Sequence, residues 1–190
     1  MSRADQREQT KERIIDAAVE VFASQGFGAA STRVIAGRAG VTQGLVTYHF
    51  ASKEALWRAA ADRIFGRLTE AFPPTEAGDA RDAGALIRAH VVFSARHPEV
   101  FHFMVDAGRH DDERLRWLID THLGPWFSAL TGADASRQRA AHLYYAVVGA
   151  ASLMFAVAPE CRSLTGVDPT TEAAIGRHAD LLVDLFAPAS

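Results

Sequence analysis

The side chains whose types and spacing could do chemistry lie in one short run, STRVIAGRAGVTQGLVTYHF, which begins at Ser31. The run predicts two helices, because Thr32 and Thr42 each supply an N-cap hydroxyl and a glycine between them favours a helix end. Val46 and Phe50 lie four residues apart, on one face of the second helix. Its other side chains carry mainly hydrogen-bonding groups. A short helix with such a surface suits insertion into the major groove of DNA.

These residues, with the Lys-Glu-x-Leu sequence after them, resemble a known family. From about Lys11 to Leu56 the chain resembles the DNA-binding domain of the tetracycline-repressor (TetR) family, and beyond Leu56 the resemblance covers only length and helical character. It implies that the second helix reads a double-stranded DNA operator. The resemblance depends on an ordered set: Ile35-Ala36, Ala39-Gly40-Val41, Gly44-Leu45-Val46, Tyr48-His49-Phe50 and Lys53-Glu54-Ala55-Leu56.

The resemblance also implies roles for single residues. Thr47 departs from the family pattern, in which its position is often aromatic or basic, and Leu45 offers no hydrogen bond. Base readout is therefore expected to depend on Gln43 and on apolar contact with thymine methyl groups. Arg33 is a further predicted DNA contact. Positions that match phosphate contacts are Thr32, Thr42, Tyr48, His49 and Lys53, and positions that match base-edge contacts are Gln43, Gly44, Leu45 and Thr47.

Composition agrees with a small DNA-reading domain attached to a larger body. The chain has 190 residues, of which 48% are hydrophobic, enough for one large or two small domains. Residues 1–63 hold nine Lys/Arg against seven Asp/Glu, while the remainder holds eleven against sixteen. A mildly basic end on an acidic body is typical of a DNA reader joined to a sensing domain.

The same composition favours a cytoplasmic, bacterial-type protein without a membrane partner. No apolar run approaches the roughly 20 residues of a membrane helix, and the first residues are too polar for a signal peptide. Cys161 is the only cysteine and cannot form an internal disulfide, which suits a reducing compartment.

The whole chain is predicted to be all-α, with about nine helices and no strand pattern. Residues before Thr10 are expected to form a loose arm, followed by a helix that ends at Gly26. A helix from the Ser52 cap to Phe72 serves as a connector, and the proline- and glycine-rich segment PPTEAGDARDAG follows it. We therefore predict a helix-turn-helix three-helix domain at residues 1–55 and a C-terminal helical ligand-binding and dimerisation domain at residues 75–190.

Two long helices are predicted near the end of the chain. The first, from Asp134 to Ala158, is apolar on nearly every side and must therefore be buried on all sides. A second copy of the chain would cover one of those faces. The second helix opens at Asp168, followed by a proline suited to the first turn. A homodimer is expected, with the interface candidates Leu153, Ile175, Leu182 and Phe186.

The C-terminal domain carries no motif that names a ligand. Its aromatic, histidine and methionine side chains suit either a plain core or a cavity for a small-molecule effector. The histidines lack the paired spacing of a metal site, and no nucleophile elbow, phosphate-binding glycine loop or paired-carboxylate motif is present, so neither a metal, a cofactor nor an enzyme activity is predicted. The effector-site candidates are His90, Phe93, Met104, Trp117, Trp126, Tyr144 and Tyr145.

The sequence thus predicts a ligand-responsive transcriptional regulator of the repressor type. It would bind a palindromic operator as a homodimer and be released by a small-molecule effector. The alternative is a helical protein-interaction module, or co-regulator, whose N-terminal domain docks on another protein. Alanine in place of Tyr48 and His49 discriminates between the two, because only the first depends on DNA contacts of these residues.

Overall fold

The computed structural model describes residues 2–71, 83–124, 127 and 137–187, and within them it contains ten α-helices and no strand. The all-α prediction is confirmed. A π-helical turn, Ile119–Leu123, continues the seventh helix. The helices are α1 Arg3–Ala29, α2 Thr32–Ala39, α3 Gln43–His49, α4 Lys53–Ala71, α5 Ala83–Arg96, α6 Pro98–Gly108, α7 Glu113–Leu118, α8 Arg137–Ala156, α9 Ala158–Thr165 and α10 Glu172–Phe186.

The first helix begins earlier than the sequence predicted. Ser2 Oγ accepts a hydrogen bond from Asp5 N at 3.1 Å, and the Asp5 carboxylate accepts one from Ser2 N at 2.8 Å. This reciprocal capping box satisfies N–H groups that a helix end otherwise leaves open. The prediction of a loose arm before Thr10 is therefore wrong. The predicted break at Gly26 is confirmed, since its φ of 72° and ψ of 166° are not helical.

The caps around the helix-turn-helix run are only partly as predicted. The cap of α2 is Ser31, whose Oγ accepts from Val34 N at 3.2 Å, so the prediction of Thr32 was wrong by one residue. Thr42 does precede α3, but its side chain makes no cap hydrogen bond. Ser52 caps α4 as predicted, accepting from Ala55 N at 3.0 Å.

The end of the chain contains one helix that the sequence analysis missed. The predicted helix from Asp134 to Ala158 is described from Arg137, and it ends at Ala156. The helix α9 then starts at once, with Pro159 in its first turn, where proline is tolerated. The last helix is capped by Thr171, whose Oγ1 accepts from Ala174 N at 3.3 Å. Asp168, the predicted cap, instead accepts from Thr170 N in the preceding turn.

Among the described residues, no single helix combines the length and hydropathy that a membrane span needs. Two consecutive helical segments, Ala141–Ala156 and Ala158–Thr165, reach that length and hydropathy only when they are combined, by length and composition alone. The angle between them is 77°.

The first of two compact units extends to Leu68 and also takes in His102–Leu118. Its core contains Trp57, whose ring stacks on Phe103 at a centroid distance of 5.1 Å. The guanidinium of Arg114 lies 3.8 Å from the Phe27 ring centroid and is also paired with Asp112. Residues 102–118 thus contribute side chains to the core of this unit.

The second unit comprises Thr69–Phe101 and the chain from Ile119 onwards. Within it α5, α8 and α10 pack together, and Val91, Phe155 and Ala179 belong to their shared core. A buried hydrogen bond joins the hydroxyls of Ser94 and Ser152 at 2.9 Å. The predicted division at residues 1–55 and 75–190 concerns function and remains a prediction.

Gly26 provides a stability test of the first unit. Its φ is +72°, and a Cβ there would lie 2.4 Å from Oδ1 of Asp106, whose Oδ2 accepts the Phe27 N–H at 3.0 Å. Gly26→Ala is therefore expected to lower the free energy of unfolding by about 1–3 kcal/mol. Urea unfolding followed by circular dichroism measures the change.

Gly28→Ala is the matched control. A Cβ at Gly28 meets nothing within 4 Å, and its φ is not in the left-handed region. Alanine is also the better helix former, so this variant should unfold no more easily than the unmodified protein. Equal urea midpoints for the two variants would contradict the account of Gly26.

Candidate nucleic-acid interface

The turn between α2 and α3 is fixed by a left-handed residue and one arginine. Gly40 has φ 64° and ψ 39°, and its N–H donates to Gly37 O at 3.2 Å while Val41 N donates to Ala36 O at 3.0 Å. This is the Schellman arrangement of a helix C-terminus. Arg13 Nη2 donates to Ala39 O at 2.7 Å and to Gly40 O at 3.1 Å. The end of α2, and with it the start of α3, is held to α1.

The short helix α3 has one buried side and one exposed side. Val46 is buried, as is Phe50 at the C-cap, so the spacing that predicted the inner face is confirmed. The outer face presents a continuous row of side chains to solvent, and Tyr48 is 64% exposed. The exposed residues of α3 are Gln43, Gly44, Leu45, Thr47 and Tyr48, while His49 is half-buried.

Two hydrogen bonds orient polar groups on this outer face. Gln43 Nε2 lies 3.4 Å from Thr32 Oγ1, within donating distance. The Thr47 hydroxyl donates to Gly44 O at 3.0 Å. While its hydrogen is donated within the helix, Thr47 offers its oxygen to a partner, as an acceptor. Adenine and cytosine present amino donors to such an acceptor in the major groove.

The remaining predicted DNA contacts flank α3. Arg33 and Thr42 are exposed, and Thr32 is half-buried. Lys53 is partly engaged within its own unit, because Nζ lies 3.4 Å from Gly28 O and 4.4 Å from the Phe27 ring centroid. Their role as DNA contacts remains a prediction, which this placement permits.

A basic segment of α1 lies beside the C-terminal end of α3, and the sequence analysis did not include it among the site residues. The Arg7 guanidinium is 5.5 Å from the Tyr48 ring centroid, and the Tyr48 and His49 rings meet edge to face at 5.2 Å. Burial lowers the pKa of His49, and the positive charges of Arg7 and Lys11 lower that pKa further, against an opposing effect of Glu8. His49 is therefore mostly neutral at pH 7. The signal for this segment was the spacing of two basic residues four positions apart.

The effector-site candidates are divided between the two units. Met104 and Trp117 belong to the first unit, and Trp126 lies outside the described residues. In the second unit, Phe93 is buried, with its ring 4.8 Å from that of His97. His90, Tyr144 and Tyr145 also belong to the second unit.

The two tyrosines of α8 differ in exposure. The half-buried Tyr144 ring meets Phe127 at 5.4 Å and Tyr145 at 5.2 Å, and burial, then the neighbouring Tyr145, raises the pKa of Tyr144. Tyr145 is 73% exposed. An effector site lined by Tyr144 remains a prediction, and Tyr145 points to solvent in the single chain.

The predicted interface residues also differ in exposure. Ile175 and Leu182 lie in the core of the second unit, so they are not accessible to a second copy. Leu153 is 53% exposed, and Phe186 is also exposed. The apolar residues that α10 does present to solvent include Leu181 and Leu185, one turn apart.

The burial of His90 predicts a pH dependence of stability. Burial lowers the pKa of His90 to about 4 from the ordinary 6.5. Below pH 6.5 the unfolded chain takes up a proton that the folded protein does not, so the stabilisation present above pH 6.5 is lost as the pH falls towards 4. Between pH 7 and pH 5 the loss from this group should be about 2 kcal/mol.

Urea unfolding at the two pH values measures the loss. His90→Asn should reduce the difference in unfolding free energy between pH 7 and pH 5, whereas His110→Asn, at an exposed position, should leave it unchanged. An unaltered difference in His90→Asn would show that other groups cause the pH dependence.

Two helices joined by a fixed turn and packed on a third helix, the second of them with one buried and one exposed side, define a helix-turn-helix domain. The family model described as bacterial regulatory proteins, tetR family, matches residues 14–60. Residues 14–60 thus match the DNA-binding domain of this family, and the resemblance predicted for about Lys11 to Leu56 is confirmed.

Individual relatives agree with this assignment. The HTH-type transcriptional regulator SrpR of Pseudomonas putida is 49% identical over 61 residues, which cover 32% of this chain and 29% of SrpR. The HTH-type transcriptional repressor Rv3405c of Mycobacterium tuberculosis is 41% identical over 63 residues, 33% of this chain and 34% of that protein. The chain thus matches about a third of the length of these curated relatives.

Solved structures with a similar fold are also known. The crystal structure of AibR in complex with isovaleryl coenzyme A and operator DNA has a TM-score of 0.71. It covers 96% of this chain and 100% of AibR at 16% identity. Identity this low establishes the shared fold alone.

Proposed function

We propose that this protein is a transcriptional repressor that binds a palindromic DNA operator and releases it when a small-molecule effector binds the second unit. The observation that carries the proposal is the outer face of α3, a seven-residue helix held by the Gly40 turn and by buried Val46. The polar groups of that face are directed to solvent, where they can meet a partner. The repressor Rv3405c and the operator-bound AibR support the same role.

The proposed assembly is a homodimer. The helices α8 and α10 expose apolar side chains that a single chain leaves in contact with water, which favours an interface. Two copies related by a two-fold axis would present their α3 helices to successive major grooves, about 34–36 Å apart. The apolar residues available for this interface are Leu143, Tyr145, Leu153, Leu181, Leu185 and Phe186. Action on DNA in a bacterial cell implies a cytoplasmic location.

The proposed effector site involves three side chains of the second unit, His90 and Phe93 on α5 and Tyr144 on α8. Aromatic side chains with a few polar groups are typical of sites for small organic molecules. AibR was solved with isovaleryl coenzyme A, which supports a small-molecule effector of this fold and makes acyl thioesters the first compounds to test. An effector that favours the released form would need a coupling free energy of about 1–3 kcal/mol to change operator affinity 5- to 150-fold.

The DNA-binding proposal is tested by replacing two residues of α3. A duplex selected from a random library by the unmodified protein serves as the probe, and fluorescence anisotropy gives the Kd. Tyr48→Ala with His49→Ala should raise the Kd at least about tenfold, because the variant lacks side chains that position α3 on the DNA backbone. Leu164→Ala, at a 77% exposed position of α9, should leave the Kd unchanged.

The selection of a duplex by the unmodified protein also tests the alternative, a protein-interaction module. A protein that uses this domain only to dock on another protein would select no duplex above background. The repressor proposal also fails if the unmodified protein binds all duplexes equally and responds only to salt concentration.

The dimer proposal is tested at Leu153. Because Leu153 is 53% exposed, Leu153→Glu should leave the protomer folded and reduce the mass in solution from twice 20.6 kDa to 20.6 kDa. Light scattering measures the mass, and Leu164→Glu is the matched control. Leu182→Glu is unsuitable, since a buried charge would unfold the protomer itself. A monomeric unmodified protein would refute the dimer.

A further inference from the structure

We propose that the first turns of α1 form a second DNA-contact surface, in which Arg3, Arg7 and Lys11 bind backbone phosphates beside the bases that α3 reads. The inference rests on the proposed function and adds residues to the same interface. It concerns phosphates and not base edges, so it predicts a contribution to affinity without a contribution to sequence preference.

The first step is that this segment is an ordered helix. The capping box of Ser2 and Asp5 starts α1 at Arg3, which places the three basic residues on a continuous helix at positions i, i+4 and i+8. Residues at this spacing lie along one face, about 6 Å apart per step of four residues. A loose arm would lose backbone conformational freedom when it binds DNA, whereas basic residues on a preformed helix do not have to.

The second step is that this row adjoins α3. The Arg7 guanidinium lies 5.5 Å from the centroid of the Tyr48 ring, and Tyr48 is one of the most exposed side chains of α3. A guanidinium stacked on an aromatic face keeps its N–H donors at its edge, where they suit the oxygens of a phosphate. The contact between Arg7 and Tyr48 therefore joins the exposed surface of α3 to that of α1.

The third step is the charge of this surface. Arg7 and Lys11 both lower the pKa of His49, which shows that their charges act at the C-terminal end of α3. Most carboxylates of α1 have other partners: Asp5 caps the helix, Glu12 and Asp16 pair with Arg63, and Glu20 pairs with Arg38. Asp5 has no cationic partner among these pairs and keeps its negative charge, so Asp5 and Glu8 are the carboxylates of α1 that oppose an approaching phosphate.

Glu8 allows a test in which a substitution should strengthen DNA binding. Its Oε1 lies 3.2 Å from Lys11 Nζ, in an exposed pair. Exposed pairs of this kind hold weakly and exchange partners readily. A phosphate that meets Lys11 must compete with Glu8, so removal of the Glu8 charge should strengthen DNA binding.

The experiment measures Kd against salt concentration on the selected duplex, with Arg7→Gln and Lys11→Gln combined. The Kd should rise at least about tenfold, and the slope of log affinity against log salt should fall by about 0.9 for each phosphate that the variant no longer neutralises. The ratio of affinities for the selected duplex and a scrambled one should not change. Glu8→Gln should lower the Kd.

Arg96→Gln is the matched control, because it removes one positive charge from an exposed position of α5. It should leave both Kd and salt slope unchanged. Thermal unfolding confirms that each variant is folded.

The outcomes separate the inference from the proposed function. If the Tyr48→Ala and His49→Ala variant loses binding while the Arg7→Gln and Lys11→Gln variant keeps both Kd and slope, the proposed function stands and this inference is overturned. If the unmodified protein selects no duplex, both fail together. A lower Kd in Glu8→Gln without an effect of the Arg7 and Lys11 changes would also overturn the inference.

Discussion

The proposed interface depends on how the C-terminus of α2 is closed. A left-handed Gly40 allows the chain to turn sharply, and the two hydrogen bonds of that turn leave the last carbonyls of α2 free to accept from Arg13. Hydrogen bonds from a charged donor are stronger than those from a neutral donor. The positive charge of Arg13 also suits the negative end of the helix dipole. Since α3 starts three residues after Gly40, its direction is set by this closure and by the burial of Val46.

The sequence was sufficient for those parts of the fold that depend on periodicity. Apolar residues at helical spacing identified the inner face of α3, and glycine at positions 26 and 40 marked the two breaks. Both breaks use positive φ, which glycine adopts without the steric cost of a Cβ. These features are local, so no knowledge of distant partners was needed to predict them.

The sequence was insufficient where two equally suitable groups compete. Ser31 and Thr32 are both good N-caps, and only the backbone geometry decides which oxygen meets the Val34 N–H. On α10, apolar residues cover two faces, and periodicity alone cannot tell which face packs inside its unit. The interface prediction therefore included Ile175 and Leu182, which are buried, and did not include Leu181, which is exposed.

Net charge would be a poor guide to DNA binding for this chain, which carries −3 overall. The first unit explains why, because several of its arginines are engaged within the unit. Arg13 holds the turn, Arg63 pairs with Glu12 and Asp16, and Arg114 lies against the Phe27 ring. Arg3 and Arg7 on α1 and Arg33 on α2 are among the basic residues of this unit that remain exposed. The field that a polyanion experiences depends on where such exposed charges lie and not on the net charge, since charges beyond about a Debye length are screened.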